Sequence, residues 1–284
     1  MSRLLITGGS SYLGQHLVAQ ARRHPGVERA LCYTYYNNDP LRGPEGRRLD
    51  VRNGEAVRRL IDAFRPDVIV HTAGSNRPAE TMDAVIRQGA EHVTEAASRH
   101  AARLIHISTD IIFDGRHAPY REEDRPQPLH AYGRAKAAAE GIVAGYAQHV
   151  IVRTSLLYGL EKMDRGTEWV VQAIRRGEPV TLFTDQFRNP ILVTALAAAL
   201  LELAEHTYTG ILHVAGAQRV SRADYTLRLL RWWGVEPGKH VTLGPSDGDR
   251  WPLDTTLDIS RAQALLKTPL PGIDALLPSI MPIS

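Results

Sequence analysis

A chain of 284 residues with 43% hydrophobic and 23% charged residues can bury a substantial core, which excludes a disordered or low-complexity protein. The formal net charge is +3, and the arginines fall in scattered pairs such as Arg22–Arg23, Arg47–Arg48, Arg58–Arg59 and Arg175–Arg176 with no basic run, so no nucleic-acid partner is expected. The single cysteine, Cys32, allows no intrachain disulfide, which fits a cytoplasmic location, and its apolar surroundings read as those of a buried inert thiol.

In chain order, "RLLIT" (3–7) is a strand, and a glycine-rich turn follows where a signal peptide would continue its apolar region. The segment 12–24 has helical spacing, "RALCYTYY" (29–36) is strand-like, and a short piece ends at "RRLDV" (47–51). The pattern then gives a helix at 54–64, a buried strand at 67–73, a long helix at 79–100 and a strand at 102–109. A helix at 130–147 and a strand at 149–158 complete the regular alternation. Such alternation predicts an α/β fold, a doubly wound parallel sheet covered by helices on both faces. Beyond about residue 158 the rhythm loosens: a helix near 167–177, a strand at "PVTLF", a helix at 193–206, a strand at 210–216 and helices at 221–233 and 260–267. The apolar run from 191 to 204 is too short to span a bilayer comfortably, so no membrane partner is expected. The expected division is a dinucleotide-binding Rossmann domain over 1–158 and a mainly substrate-binding lobe over 159–284, with segments near 180–215 returning to the first domain.

Three stretches carry chemistry. In "LLITGGSSYLGQHL" (4–17), Gly8 follows the first strand and Gly14 lies one turn into the helix, but Ser11 stands where a middle glycine is expected. Backbone N–H groups between them can receive a pyrophosphate, and the Ser11 hydroxyl adds a donor together with a Cβ. Alone, this motif fits a nucleotide site and a plain strand-to-helix turn equally well. Tyr132 and Lys136, four apart on a helix, share one face, and an ammonium near a phenol lowers its pKa and suits it to exchange a proton with a carbonyl or alcohol oxygen. Spacing alone does not distinguish this from a chance pair. In "HISTDIIFDG" (106–115), hydroxyls at the carboxyl end of a strand point into the expected ligand crevice, or cap a turn. The three pieces together, in this order, argue for a site.

At this point the chain resembles the extended short-chain dehydrogenase/reductases, and most closely their branch with the RmlD substrate-binding family, which holds dTDP-4-dehydrorhamnose reductase and the regulatory subunit of methionine adenosyltransferase. "STDIIFDG" and "PLHAYGRAKAAAE" (128–140) carry the resemblance, joined by "VRTSLLYG", "DQFRNP", "GILHVAG" and "PLDTTLD" across nearly the whole chain. The resemblance implies an NAD(P)-dependent reductase in which Tyr132 donates a proton to a sugar C4 carbonyl as hydride arrives. Lys136 would tune Tyr132 and hold the nicotinamide ribose, and Thr109 would hold the substrate oxygen. Cofactor contacts are implied for Gly8, Ser10, Ser11, Tyr12, Leu13, Gly14, Tyr35, Asn37, Asp50, Val51, Ala73 and Gly74, besides Tyr132 and Lys136. Ser108, Asp110, Gln186, Arg188 and Asn189 are implied for the substrate, with Arg188 placed to pair with a nucleotide-sugar phosphate.

Four positions depart from the family pattern: Ser11; Leu156, where a substrate-facing Trp is usual; Trp251, where Arg is frequent and Arg250 adjoins; and Ile86, where many members have a proton-relaying Asn. The second strand ends "YTYYNND", with no early acid to hydrogen-bond a ribose. Tyr35, Asn37 and Asn38 would not repel a 2′-phosphate and Arg42 could meet one, so NADP(H) is expected over NAD(H). Two other readings remain beside the reductase of a 4-keto nucleotide sugar: a non-catalytic NADP-binding regulatory protein, and a nucleotide-sugar epimerase or dehydratase. A homodimer is the family-level expectation. The twelve scattered histidines form no metal motif, Trp232–Trp233 reads as core or lobe contact, and Glu122–Glu123–Asp124 reads as a solvated loop.

Overall fold

The alternating half of the sequence forms a parallel sheet in a computed structural model that describes residues 3–25, 27, 30–74, 79–246 and 251–277. Its elements begin with β1 (Leu4–Thr7), α1 (Tyr12–Ala21), β2 (Leu31–Tyr35), β3 (Gly46–Arg48), α2 (Gly54–Phe64) and β4 (Val68–His71). They continue with α3 (Ala79–Asp83), a π-helical turn (Ala84–Gln88), α4 (Gly89–Arg99), β5 (Arg103–Thr109), a 3₁₀ turn (Asp110–Ile112), α5 (Ala131–Ala144) and β6 (His149–Thr154). After these come β7 (Leu157–Tyr158), α6 (Arg165–Arg175), β8 (Val180–Phe183), β9 (Phe187–Arg188), β10 (Ile191–Leu192) and α7 (Val193–Glu205). The chain closes with β11 (Gly210–His213), β12 (Val220–Ser221), α8 (Arg222–Trp232), β13 (Val241–Gly244), α9 (Ser260–Leu265) and α10 (Ile273–Leu276).

Seven strands form one parallel sheet in the order β3-β2-β1-β4-β5-β6-β11. Alternate residues of β1 divide between its two faces. Leu4 and Ile6 pack in the cluster with Leu17 of α1 and Leu196 and Leu200 of α7, whereas Leu5 packs with Val57 and Ile61 of α2 and Val93 of α4. The winding reverses between β1 and β4, which opens a crevice beyond their carboxyl ends. Local chemistry sets the helix ends: the Asn53 side chain accepts from Ala56 N at 3.0 Å at the start of α2, and Arg65 turns left-handed at φ 47° at its end. α7 is buried on most of its surface because it packs beside α1 on one face of the sheet, and Gln20 Nε2 donates to Thr194 O at 2.8 Å across that contact.

Several elements differ from the sequence reading. The long helix 79–100 contains the π turn, and the strand 149–158 breaks after Thr154, leaving β7 to pair with β10. Within 180–215, α7 and β11 join the main sheet and its helices, but β8 pairs in parallel with β13 outside it. Glu122 is not a solvated loop residue: it is 7% exposed, its carboxylate accepts from His213 N at 3.2 Å, and its carbonyl accepts from Arg153 at 3.1 Å. Arg153 also pairs with Glu140 at 2.9 Å, tying α5 to β6 through a buried ion pair. Cys32 is buried, and burial pushes its thiol up to about 11. Trp232 is partly exposed and donates to Leu160 O, while Trp233 packs beside the cluster of Tyr158, Leu229 and Ile273. Among the described residues no helix is long and apolar enough to cross a membrane, and no cluster of His, Cys, Asp and Glu could hold a metal. Arg250 lies outside the described residues.

Candidate active site

The turn between β1 and α1 is built for close approach. Gly8 has φ +77°, and a Cβ there would come within 2.7 Å of Ala73 N; a Cβ on Gly14 would come within 2.2 Å of Gly8 O. Thr34 and Thr72 fix the turn from the neighbouring strands: Gly8 N donates to Thr34 Oγ1 at 3.1 Å, and Thr72 Oγ1 donates to Thr7 O at 2.8 Å. Ser11 is the N-cap of α1, and its hydroxyl accepts from Gly14 N at 3.0 Å. The N–H groups of Tyr12 and Leu13 open the helix, where no intrahelical acceptor exists, so the cradle fits a pyrophosphate. Ser10 lends its carbonyl to Gln15 Nε2 at 2.9 Å. The Tyr12 phenol donates to Lys162 O at 2.8 Å, so a loop of the second half lies over this turn.

At the carboxyl end of β5, the Thr109 hydroxyl lies close enough to the Tyr132 phenol to act on its ionisation, and it donates to Asp110 Oδ1 at 3.2 Å. Burial, together with the Asp110 charge, pushes the Tyr132 phenol up to about 12, and Thr109 opposes this. One turn along α5, Lys136 is buried and donates to Ile107 O at 2.6 Å; burial lowers its ammonium to about 8 against the pull of Glu140. The sequence reading had Lys136 lowering the Tyr132 pKa. Burial and the Asp110 charge dominate instead, and the phenol stays protonated at neutral pH. Gly74 completes this corner: a Cβ there would lie 3.8 Å from Lys136 Nζ and 3.9 Å from Ile86 Cγ1, so the apolar Ile86 of the π turn and the ammonium border the same small gap. Ala73 adjoins Gly74 at the end of β4 and is partly buried. Ser108 is buried with its hydroxyl unpartnered.

Three of the residues assigned to substrate are held mainly by groups of the protein itself. Asp110 is 2% exposed, and its Oδ2 accepts from Ser155 Oγ at 2.7 Å and Thr255 Oγ1 at 3.0 Å. Arg188 is 1% exposed, stands 3.7 Å from Asp110 Oδ2, and donates to the carbonyls of Phe187, Leu253 and Pro252 at 2.6, 3.0 and 2.9 Å. Both of its terminal nitrogens are thus engaged by the protein's own backbone, while its buried Nε has no hydrogen-bond partner. Asn189 bridges the backbone of Leu257, donating to its O at 3.1 Å and accepting from its N at 3.2 Å. Gln186 is buried, and its main-chain carbonyl accepts from Arg222 N at 2.8 Å, which leaves the role of its side chain as assigned. Asp110 and Arg188 form the latch that ties β5 to the 252–253 segment.

The other end of the crevice lies beyond β2 and β3. Tyr35 is partly buried, and Asn37 and Asn38 are exposed. Asp39 is drawn away from this edge: it accepts from Tyr33 OH at 2.9 Å and from Leu41 N at 3.1 Å. Asp50 pairs with Arg52 at 2.7 Å, which holds its carboxyl below the usual range, and Arg52 also donates to Tyr36 OH at 2.9 Å. Val51 is buried, and its carbonyl meets His92 Nδ1 at 2.9 Å. The sequence reading passed over Arg52, Ser155 and Thr255. Thr255 stood within a recognised block, but nothing in its spacing marks it as the partner of an aspartate 145 residues away. Leu156 packs beside the cluster containing Tyr158 and Tyr225, and Trp251 is 48% exposed.

The family model described as the RmlD substrate binding domain matches residues 2–278. The dTDP-4-keto-6-deoxy-D-glucose reductase of Streptomyces niveus is 31% identical over 255 residues, 86% of this chain and 83% of that protein. A crystal structure described as a hypothetical dTDP-4-dehydrorhamnose reductase from Sulfolobus tokodaii matches with a TM-score of 0.81 at 30% identity, covering 96% of this chain and 97% of that one. The dTDP-4-dehydrorhamnose reductase of Bacillus anthracis, solved in complex with NADP, shares the fold with a TM-score of 0.80 at 22% identity, over 98% of this chain and 96% of that one.

Proposed function

The chain belongs to the RmlD substrate binding domain family, and from that premise we propose that it reduces the 4-keto group of a dTDP-linked 6-deoxyhexose with a nicotinamide cofactor. The observation that carries this reading is the meeting of Thr109 and Tyr132 at the end of β5, with Lys136 one turn beyond on α5. A bound reduced nicotinamide supplies the hydride. Tyr132, protonated at neutral pH, gives its phenol proton to the carbonyl oxygen as negative charge develops there. Thr109 then turns its hydroxyl from Asp110 toward the phenolate left behind, the contact that opposes the rise in the Tyr132 pKa. Lys136, still charged below about pH 8, keeps the site cationic and offers its remaining N–H bonds to the cofactor's ribose.

The turn from Gly8 to Gly14, with the backbone of Ser10, Ser11, Tyr12 and Leu13, would hold the pyrophosphate. Asp50 and Val51 would meet the adenine, Tyr35 and Asn37 its ribose, and Ala73 and Gly74 the inner half of the cofactor. Residues 1–158 thus serve the cofactor and most of 159–284 the substrate. We favour NADP(H): with Asp39 held by Tyr33 and Leu41, no acid is free to repel a 2′-phosphate, and Arg42 is exposed beside the two asparagines. Fluorescence titration with NADPH and NADH, followed by NADPH oxidation with a panel of 4-keto nucleotide sugars, tests the reading. Tyr132→Phe should lower kcat by about 10²–10⁴-fold and leave the cofactor Kd within about twofold. Full activity in that variant would remove Tyr132 from its role, and cofactor binding without turnover in the wild type would favour the regulatory reading.

A further inference from the structure

Trp251 is a large aromatic side chain left 48% exposed on a segment whose backbone is otherwise fixed. Arg188 holds the next two carbonyls, Pro252 O at 2.9 Å and Leu253 O at 3.0 Å, and is itself anchored beside Asp110. The same segment lies against the loop after β5: a Cβ on Gly115 would approach Leu253 N to 2.5 Å. On its other side the Trp251 ring meets the His130 ring, with centroids 5.0 Å apart and planes tilted by 59°. His130 is the N-cap of α5, two residues before Tyr132. Its Nδ1 accepts from Gly133 N at 3.4 Å, and its Nε2 has no partner. The indole therefore lies against the N-cap of the helix that carries Tyr132, on a segment whose next two residues pack on the loop that follows β5.

We infer that the Trp251 indole is a specificity-determining wall of the substrate site, on which the apolar face of the 6-deoxyhexose rests while its 4-keto oxygen meets Tyr132. The ligand chemistry favours the sugar over the base. Groups bonded to the reacting carbon must lie close to Thr109 and Tyr132, whereas the base lies a diphosphate away. A 6-deoxyhexose presents ring C–H groups and a methyl, the surface that an exposed indole covers well. Trp251 lies outside the glycine turn, so its role separates from cofactor binding.

This inference rests on the reductase reading, and the experiment separates the two. Wild type, Trp251→Ala and Trp251→Phe are compared for KM and kcat with a dTDP-4-keto-6-deoxyhexose, for NADPH Kd, and for dTDP Kd by calorimetry. Trp251→Ala should raise KM by about tenfold, leave kcat within about threefold and leave both Kd values unchanged, and Trp251→Phe should recover most of the loss. An unchanged KM in an active Trp251→Ala enzyme overturns the inference and leaves the reductase reading standing. An equal loss of dTDP affinity overturns it in favour of contact with the base. A wild-type protein that neither binds nor reduces nucleotide sugars overturns the reductase reading, and this inference falls with it.

Discussion

Replacing Lys136 by methionine removes a buried ammonium and keeps an unbranched side chain of similar length. Burial lowers the lysine from its ordinary 10.5 to about 8 in the folded protein, so between these values the unfolded chain holds a proton that the folded one does not. Stability therefore rises with pH across that window: the penalty is complete below pH 8 and vanishes above pH 10.5. A shift of this size corresponds to about 3 kcal/mol, most of it recovered by pH 10. The assay is urea denaturation of the ligand-free wild type and Lys136→Met at pH 7, 8, 9 and 10. The difference between the two proteins cancels every other group that titrates in this range. Wild type should gain on the variant by about 2–3 kcal/mol from pH 7 to pH 10. A difference that stays flat within about 0.5 kcal/mol would refute the claim that the ammonium is desolvated by burial. The same ionisation should give kcat/KM for the cofactor a falling limb near pH 8, because that parameter reports the free enzyme.

Two further outcomes follow from the hydrogen bonds. Ser11→Ala should cost about 1 kcal/mol in urea denaturation through loss of the α1 cap. It should also leave the NADPH Kd within about twofold, since the hydroxyl caps Gly14 N and can turn its own proton to Thr72 Oγ1 at 3.5 Å; a loss above tenfold would make that hydroxyl a phosphate ligand. Arg188→Met strands the Asp110 carboxylate and should cost about 3–5 kcal/mol, of which Asp110→Asn in the same chain should return a part. A loss below about 1 kcal/mol would mean that the latch carries little energy.

The sheet was legible because buried parallel strands such as Val68–His71 are continuously apolar and the helices between them have their own period. The two-residue strands β9, β10 and β12 were not, since nothing in Phe187–Arg188 or Ile191–Leu192 signals a strand until a distant partner is beside it. The site divides in the same way. Gly8, Gly14, Thr109, Tyr132 and Lys136 stand at fixed short spacings on elements that the sequence predicts, and the structure brings the last three together. Arg188, Asn189, Asp110 and Glu122 were read as ligand-facing or solvated because charge and polarity ordinarily mean access. Their actual partners include main-chain groups and hydroxyls far along the chain, which only the folded contacts reveal. Ser11 was read as a donor to a ligand, and its first acceptance is from its own helix.

The return of α7 and β11 to the first half has a consequence for how the chain can be divided. β11 lies along the whole of β6, from Gly210 opposite Val150 to His213 opposite Arg153. A fragment stopped at residue 158 would present β6 as a bare sheet margin with a row of unsatisfied peptide groups, a template for another copy of itself. It would also uncover the Leu17 side of α1, which α7 seals. The two halves are one object for folding: the first is finished only when the ribosome has passed residue 213.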